Sequence, residues 1–350
     1  MIVKRLLVIV IALCSLVIAK AEQGDQMTVT LQSGTNVSVF KGASAFVQAM
    51  NAANETGGDI ITLSEGAFTP TPITKSVKIY GAGYEDNEEK GTGITKFTDV
   101  LSIGKEGSTL TGVLIEGLFC DKGITNPTGA PLVELIISKC YINNKLQFYS
   151  KLTNPIIRQC VMMADMTGND VSVAENMLVT NCFFNTKPFG FLEESVVQID
   201  HSIIVSPYGP DQGDCAFLFT NDIFLSAPWN YSVPYAYTGK GCVVKNCILR
   251  YGNEYGVLGN NTTGENNHYL KILQMFTDET QTSAAVLAYS PTRTFELKDP
   301  DNSYVDENGT SIGPAGGLGW NKIPSTPVVK NLQLGVNGSE LNVKFEAEAR

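Results

Sequence analysis

Along the middle of the chain, apolar residues recur in pairs that flank a short polar step. In "LVTNCFFN", from Leu178 to Asn185, Val179 and Phe184 stand on either side of Asn181 and Cys182, and the arrangement returns at a nearly constant interval. The rows are "IISKCYI" from Ile136, "IIRQCVM" from Ile156, "LVTNCFF" from Leu178, "QIDHSII" from Gln198, "LFTNDIF" from Leu218 and "VVKNCIL" from Val243. Their common slot holds Cys140, Cys160, Cys182, Ser202, Asp222 and Cys247, at spacings of 20, 22, 20, 20 and 25, and "LIEGLFC" from Leu114 adds an earlier copy with Leu118 in the slot. Sustained self-similarity at such a period marks a solenoid, whose units bury their apolar faces only by stacking on one another. The rows favour Ile, Val and Phe and lack the L-x-x-L-x-L spacing of leucine-rich repeats, so the units read as strands. Coils of three short strands, stacked about 4.8 Å apart as parallel sheets, fit this period. The pattern predicts an all-β chain folded as a right-handed parallel β-helix.

Within each row, the residues three before and two after the slot are predicted to face inward, with a bend between them. Lys139, Gln159, Asn181, His201, Asn221 and Asn246 occupy the bend. Asparagine tolerates the left-handed backbone such a bend requires, and stacked side-chain amides can hydrogen-bond along the axis. The thiol that follows reads as a small hydrophobe facing the core rather than a catalytic group. The cysteines are therefore expected to be mostly free, buried and unreactive until the chain is denatured.

The solenoid needs closed ends, because an open end exposes apolar side chains and unpaired strand edges. Between Gly42 and Glu85, Phe46, Met50 and Ala53 share one face of a short helix, followed by "GDIITLSEGAF" from Gly58 and "ITKSVKIYGAG" from Ile73. This stretch resembles the opening of the pectin-lyase-like β-helix superfamily, a helix followed by "G-D-x-I-x-L-x-x-G-x-F" and "I-x-K-x-V-x-I-x-G-A-G". Further on, "ENGTSIG", from Glu307, is similar to the "D-G-T-x-I-G" of the closing turns of bacterial secreted members, in particular uncharacterised surface proteins of the Bacteroides group. After Pro324 the sequence alternates, and Asn337-Gly338 carries the turn of a hairpin. The expected organisation is a strand and capping helix over 22–57, a β-helix over 58–323 and a hairpin tail over 324–350.

Residues 1–21 are set apart: Lys4 and Arg5 precede 14 apolar or small residues and then Ala19-Lys20-Ala21, the layout of a cleaved signal peptide. As a helix that run spans only about 21 Å, short of the roughly 30 Å core of a bilayer. Export to the periplasm, cell surface or medium is expected, without membrane insertion after cleavage. The mature chain then carries 22 basic against 35 acidic residues, a net −13. Nucleic acid and anionic membrane surfaces are poor partners for such a charge.

Many proteins of the superfamily that the chain resembles cleave acidic polysaccharides by β-elimination, with Ca²⁺ held by acids and a Lys or Arg as base; others hydrolyse with paired carboxylates. The slot two before the ladder faces outward, and Arg158 and Asp200 stand on it two coils apart, about 9.6 Å. "VQIDHSI", from Val197, resembles the Asp-His element of one pectate lyase family at Asp200 and His201. Asp200, His201 and Arg158 are thus the catalytic candidates, against the reading of a merely solvated face. The family's paired-arginine motif and the "N-T-D", "D-D" and "G-H-G" elements of polygalacturonases are absent. His201 and His268 lack zinc-ligand spacing, and "DPDNSYVDENG", from Asp299, departs from the D-x-[DN]-x-[DN]-G loop. No metal or other cofactor is expected, Ca²⁺ entering only under the lyase alternative.

The longest interval in the ladder contains "SAPWNYSVPYAYTGKG", where Trp229, Tyr231, Tyr235 and Tyr237 could stack on sugar faces or fold over the solenoid. One residue after the slot, Tyr141, Val161, Phe183, Ile203, Ile223 and Ile248 form an outward apolar lane that is either covered or used. The leading expectation is a polysaccharide-binding surface or periplasmic protein. The alternatives are a divergent lyase or glycoside hydrolase, and a structural or adhesive protein that meets a protein partner through the apolar lane.

Overall fold

The computed structural model describes residues 27–86, 93–163, 165–168, 172–185, 194–205, 216–225, 242–250, 262–271, 275–278, 288–299, 301–325, 328–337 and 340–348. The leader, the insertion with Trp229, Tyr231, Tyr235 and Tyr237, and Gly338 lie outside them.

The described chain forms a parallel β-solenoid. One sheet of twelve strands and one of ten run its length, each gaining a parallel strand per coil, and two four-stranded sheets serve the earlier coils. The registers pair equivalent residues of successive rows: Ile137 with Ile157, Ile157 with Val179, Val179 with Ile199 and Ile199 with Phe219. Earlier coils hold four short strands rather than the expected three, as in Ile136–Ser138, Tyr141–Ile142, Leu146–Phe148 and Leu152–Thr153. A second left-handed corner accounts for the extra strand, with positive φ at Gly112, Glu134, Asn154, Asn176 and Glu194.

The predicted bend is present in every row. Lys139, Gln159, Asn181, His201, Asn221 and Asn246 all have φ between 48° and 56°, and Asn266 continues the series at 52°. The flanking apolar positions are buried in one core that fills the solenoid from Val29 to Leu249. Cys120, Cys140, Cys160, Cys182 and Cys247 are free and buried, and Cys242 is buried as well.

The slot residue has a further role. At the corner its backbone N–H points along the axis and donates to the slot side chain of the next coil: Cys182 to Ser202 Oγ (3.1 Å), Ser202 to Asp222 Oδ1 (2.7 Å), Cys247 to Asn267 Oδ1 (2.9 Å). Cys140 donates likewise to Cys160 Sγ at 3.5 Å. The slot thiols and hydroxyl in turn donate to the carbonyl two residues earlier, as Ser202 does to Asp200 at 3.1 Å and Cys182 to Thr180 at 3.3 Å. A corner N–H buried without a partner would cost about 1–3 kcal/mol, so from Cys160 onward the slot suits a small side chain that accepts a hydrogen bond, whereas Leu118 in the earlier copy only fills the core.

At the N-terminal end, β1 (Thr28–Ser33) and β2 (Asn36–Lys41) form a hairpin that extends the long sheet antiparallel to Ile60–Leu63. Helix α1 (Ala45–Ala52) buries Phe46 and Met50 against the core, Phe46 packing 4.8 Å from Phe97. Its C-terminal carbonyls are capped by the Lys75 ammonium, which donates to Asn51 O and Ala53 O. In the C-terminal part of the chain Val328–Asn337 and Glu340–Glu348 pair antiparallel, and Asn337 opposite Glu340 brackets the predicted turn.

The last solenoid strand among the described residues is His268–Leu270. Residues 305–325 then run back along the outside of the coils as a strap, opposite to the direction in which the coils were laid down. Asn246 donates to Val305 O at 2.9 Å, and Gly313 N–H to Asn221 O at 2.8 Å. Next in order, Asn181 donates to Pro314 O and Gly316 O, Gln159 to Gly319 O at 2.8 Å and Lys139 to Ile323 O at 2.6 Å. Axial amide pairing, predicted for the whole ladder, is thus confined to its later part, where Asn246 donates to Asn221 and Asn221 to Asp200. The earlier corner side chains hold the strap instead.

The strap and the segment before it close the outward apolar lane. Val161, Phe183, Ile203, Ile223 and Ile248 are fully buried, in a second cluster with Met275, Phe276, Phe295, Leu297 and Ile312. Phe183 stacks on Phe295 at 5.5 Å, and the Arg293 guanidinium lies 4.8 and 4.7 Å from the ring centres of Phe276 and Phe295. From Val161 to Ile248 the lane is therefore interior to the molecule, while Tyr141, its first member, stays partly exposed.

Candidate functional site

Asp200 and His201 meet where the strap crosses the coils. Asp200 ends the strand Val196–Asp200 and points outward; His201 takes the left-handed corner (φ 48°), which turns its ring onto the strap. His201 Nδ1 lies 2.8 Å from Asp200 Oδ2, and Nε2 lies 3.5 Å from Asp306 Oδ2 on the strap. The imidazole is 3% exposed and Asp306 4%. Gly317 must be glycine here, because at φ 55° a Cβ would sit 2.9 Å from His201 Nδ1.

Both carboxylates are saturated by internal donors. Asp200 also accepts from Thr220 Oγ1 at 2.7 Å and Asn221 Nδ2 at 2.9 Å. Burial alone would raise its pKa, but hydrogen bonds from His201, Thr220 and Asn221, with the His201 charge, outweigh it and hold the carboxyl below the usual range. Asp306 accepts from Thr310 N–H (2.7 Å), Asn308 N–H (2.9 Å) and Thr310 Oγ1 (3.0 Å). These bonds, too, overcome desolvation and depress its pKa. Hydrolysis by paired carboxylates needs one of the two to stay protonated as the acid. Here both are stabilised as anions on either side of one imidazole, which is the electrostatics of a clasp.

Arg158 is in register with Thr180 and, one coil further, Asp200, so it stands on the same lane as predicted. Its Nε donates to Ser138 Oγ at 3.3 Å, and it does not line the cavity beside Asp200. The lane is less solvated than expected, since Ser138 and Thr180 are buried.

Beside the clasp a cleft of about 690 Å³ opens between the coils and the strap. Gln198, Asp200, Thr220 and Lys245 form its floor, the corner amides Asn221, Asn246 and Asn266 one side, and Val305 to Asn308 the other. Gln198 and Lys245 are exposed, and Lys245 makes a 3.5 Å ion pair with exposed Glu265. The cleft presents amide, hydroxyl, ammonium and carboxylate groups on a backbone repeating every coil.

Asp306, Thr310 and the strap glycines are the site residues that the repeat did not reveal. The signal for them was "ENGTSIG": Ile312 plugs the lane, and Gly313 passes so close that a Cβ would meet Ile223 Cδ1 at 2.3 Å. In the acidic stretch before it, Asp299 accepts from the N–H groups of Ser303 and Tyr304. Among the described residues no group of three or more His, Cys, Asp or Glu is arranged to hold a metal ion.

No relative identifies the chain. Comparisons with protein-family models, curated proteins and solved structures find no match. What is shown is the parallel β-solenoid, its strap and its polar cleft.

Proposed function

We propose that this is an exported β-helix protein, of the pectin-lyase-like kind, that binds a polysaccharide at the cell surface or in the periplasm without cleaving it. The observation that carries the reading is the open cleft over Gln198, Thr220 and Lys245. Its hydrogen-bonding groups repeat at the coil spacing, as a ligand made of repeating hydroxylated units requires. The saturation of Asp200 and burial of His201 favour binding over catalysis. The insertion with Trp229, Tyr231, Tyr235 and Tyr237 precedes the strand of Lys245 in sequence and supplies aromatic groups suited to sugar faces.

The test is a polysaccharide array probed with the mature protein and with Gln198→Ala/Lys245→Ala, whose side chains do not hold the strap. Losing two hydrogen bonds at about 0.5–1.5 kcal/mol each should weaken binding roughly five- to a hundredfold. Binding that the double variant retains in full would move the ligand elsewhere. Unsaturated or hydrolysed oligosaccharides in the bound fraction, absent with Asp200→Ala, would replace the reading by a lyase or hydrolase.

A further inference from the structure

The long sheet of the solenoid begins on an open edge. β2 is its outermost strand, and among the described residues no strand pairs with the far side of β2. Such an edge is a template for another strand, and proteins ordinarily blunt it with proline, a bulge or charges along the strand. β2 carries neither of the first two: its six pairs with β1 run in unbroken register, and "NVSVFK" contains no proline. Its one charge, Lys41, stands at its end. Val37 and Val39 are 62% and 58% exposed, which puts two large apolar side chains in water beside unpaired backbone.

The register decides which groups are on offer. Gly42 N–H donates to Met27 O at 2.9 Å, so these two form a hydrogen-bonded pair, and by alternation so do Phe40 with Val29, Ser38 with Leu31 and Asn36 with Ser33. Those residues turn their backbone groups into the hairpin. Val37, Val39 and Lys41 turn theirs to the open edge. The groups of Val37 and Val39 are symmetric about Ser38. A second β2, antiparallel and related by a twofold axis at Ser38, therefore sets Val37 of each copy opposite Val39 of the other. Each of these pairs exchanges two N–H···O bonds, and the exposed valines meet side by side on one face of the joined sheet. Lys41 falls opposite Thr35, so no like charges are opposed.

Charge favours the same place. The chain has 35 acidic against 25 basic residues, which holds two copies apart over most of the surface. From Met27 to Asn54 there is no acidic residue, and Lys41 is the only charged side chain. The hairpin and α1 thus bring no carboxylate of their own to the junction.

We propose that two copies of this chain pair through β2, antiparallel about a twofold axis at Ser38, joining their long sheets into one. The contact is isologous, so it closes at two copies. A single strand pair buries less than the roughly 1,600 Å² of a standard interface, so the association is weak and reversible. The pairing does not rest on the polysaccharide reading.

Sedimentation velocity of the mature protein from about 1 to about 500 µM, the range in which weak association shows, should give a mass that rises from one copy towards two. Val37→Lys/Val39→Lys, at two exposed positions, sets lysine against lysine in both pairs. It should raise the dissociation constant at least tenfold while keeping the wild-type circular dichroism. Ser38 lies opposite itself in a non-hydrogen-bonded pair, with Cα atoms about 4.5 Å apart, within reach of a disulfide. Oxidised with copper–phenanthroline, Ser38→Cys should cross-link into a dithiothreitol-sensitive dimer at least tenfold more than the wild type, which reports the native thiols. Val37→Cys, whose equivalents are offset by two residues, should cross-link far less. A single copy at every concentration would overturn the proposal, as would association indifferent to the two lysines. Equal cross-linking from positions 37 and 38, or growth beyond two copies, would overturn the twofold register.

Discussion

Asp222 stands in the slot that its neighbours fill with Cys, Ser and Asn, facing the interior of the solenoid. Burial pushes its carboxyl well above the usual carboxylate range, and the nearby Asp200 charge adds to the shift. One oxygen accepts the Ser202 N–H; the other is buried with no acceptor role to fill. Ser202 and Cys247, in the same slot, donate a proton to the carbonyl two residues earlier. Protonation gives Asp222 the same kind of donor, and its second oxygen has no other hydrogen-bond partner. With its folded pKa above the unfolded value of about 3.9, the folded state binds the extra proton, so stability falls as pH rises beyond about 4. Asn267 shows the uncharged solution one position on in the ladder, accepting from Cys247 N–H and donating to Val244 O at 2.9 Å. Asp222→Asn should therefore stabilise the protein by about 1–2 kcal/mol at pH 7. In denaturant unfolding across pH the gain should vanish below about pH 4. The sequence made this slot visible as small and inward-facing. That it also accepts a hydrogen bond was hidden, because each bond is made to the next coil and thiol, hydroxyl, carboxylate and amide can all serve.

Among the elements, the strap separates what periodicity reveals from what it does not. The solenoid was legible because every coil repeats the same inward pair and left-handed corner, and α1 because Phe46 and Met50 share a face. The strap repeats nothing. Its bonds to Lys139, Gln159 and Asn181 join residues 133 to 184 positions apart and mostly use its carbonyls, which any residue can offer. The fourth strand per coil was likewise obscured, since its segments are only two residues long. The Asp200–His201–Asp306 clasp gives the strap a defined response to acid. Both carboxyls have folded pKa values below the unfolded 3.9, so the stability they contribute is complete above about pH 4 and is lost as pH falls through their folded values. Pepsin cleavage within 301–325 should rise steeply in that acid range before the solenoid core opens. Asp306→Ala, which removes charged hydrogen bonds typically worth about 1.5–3 kcal/mol each, should bring susceptibility of the same segment to neutral pH when a neutral protease is used. Equal cleavage of strap and coils at every pH would show that the clasp carries no local stability.

At the scale of the whole molecule, the outer flank is divided by chemistry. Its apolar lane is filled by Phe295, Ile312 and their neighbours, so Phe183, exposed in a bare solenoid, behaves as a core residue. Its polar lane runs partly beneath the strap and partly into the cleft. The corner ladder serves both: its earlier members anchor the strap and Asn221, Asn246 and Asn266 line the cleft. The division depends on the strap being a fixed part of the native structure, and hydrogen–deuterium exchange over 301–325 tests that most directly. In the wild-type protein at pH 7, Ile312 N–H, bonded to Tyr304 O, and Gly313 N–H, bonded to Asn221 O, should exchange as slowly as amides of the neighbouring coils. In His201→Ala those amides should exchange at least tenfold faster while the coils from Ile136 to Met162 keep their protection. Wild-type strap amides exchanging at the rate of an unstructured chain would contradict the closed lane and the cleft that the strap defines.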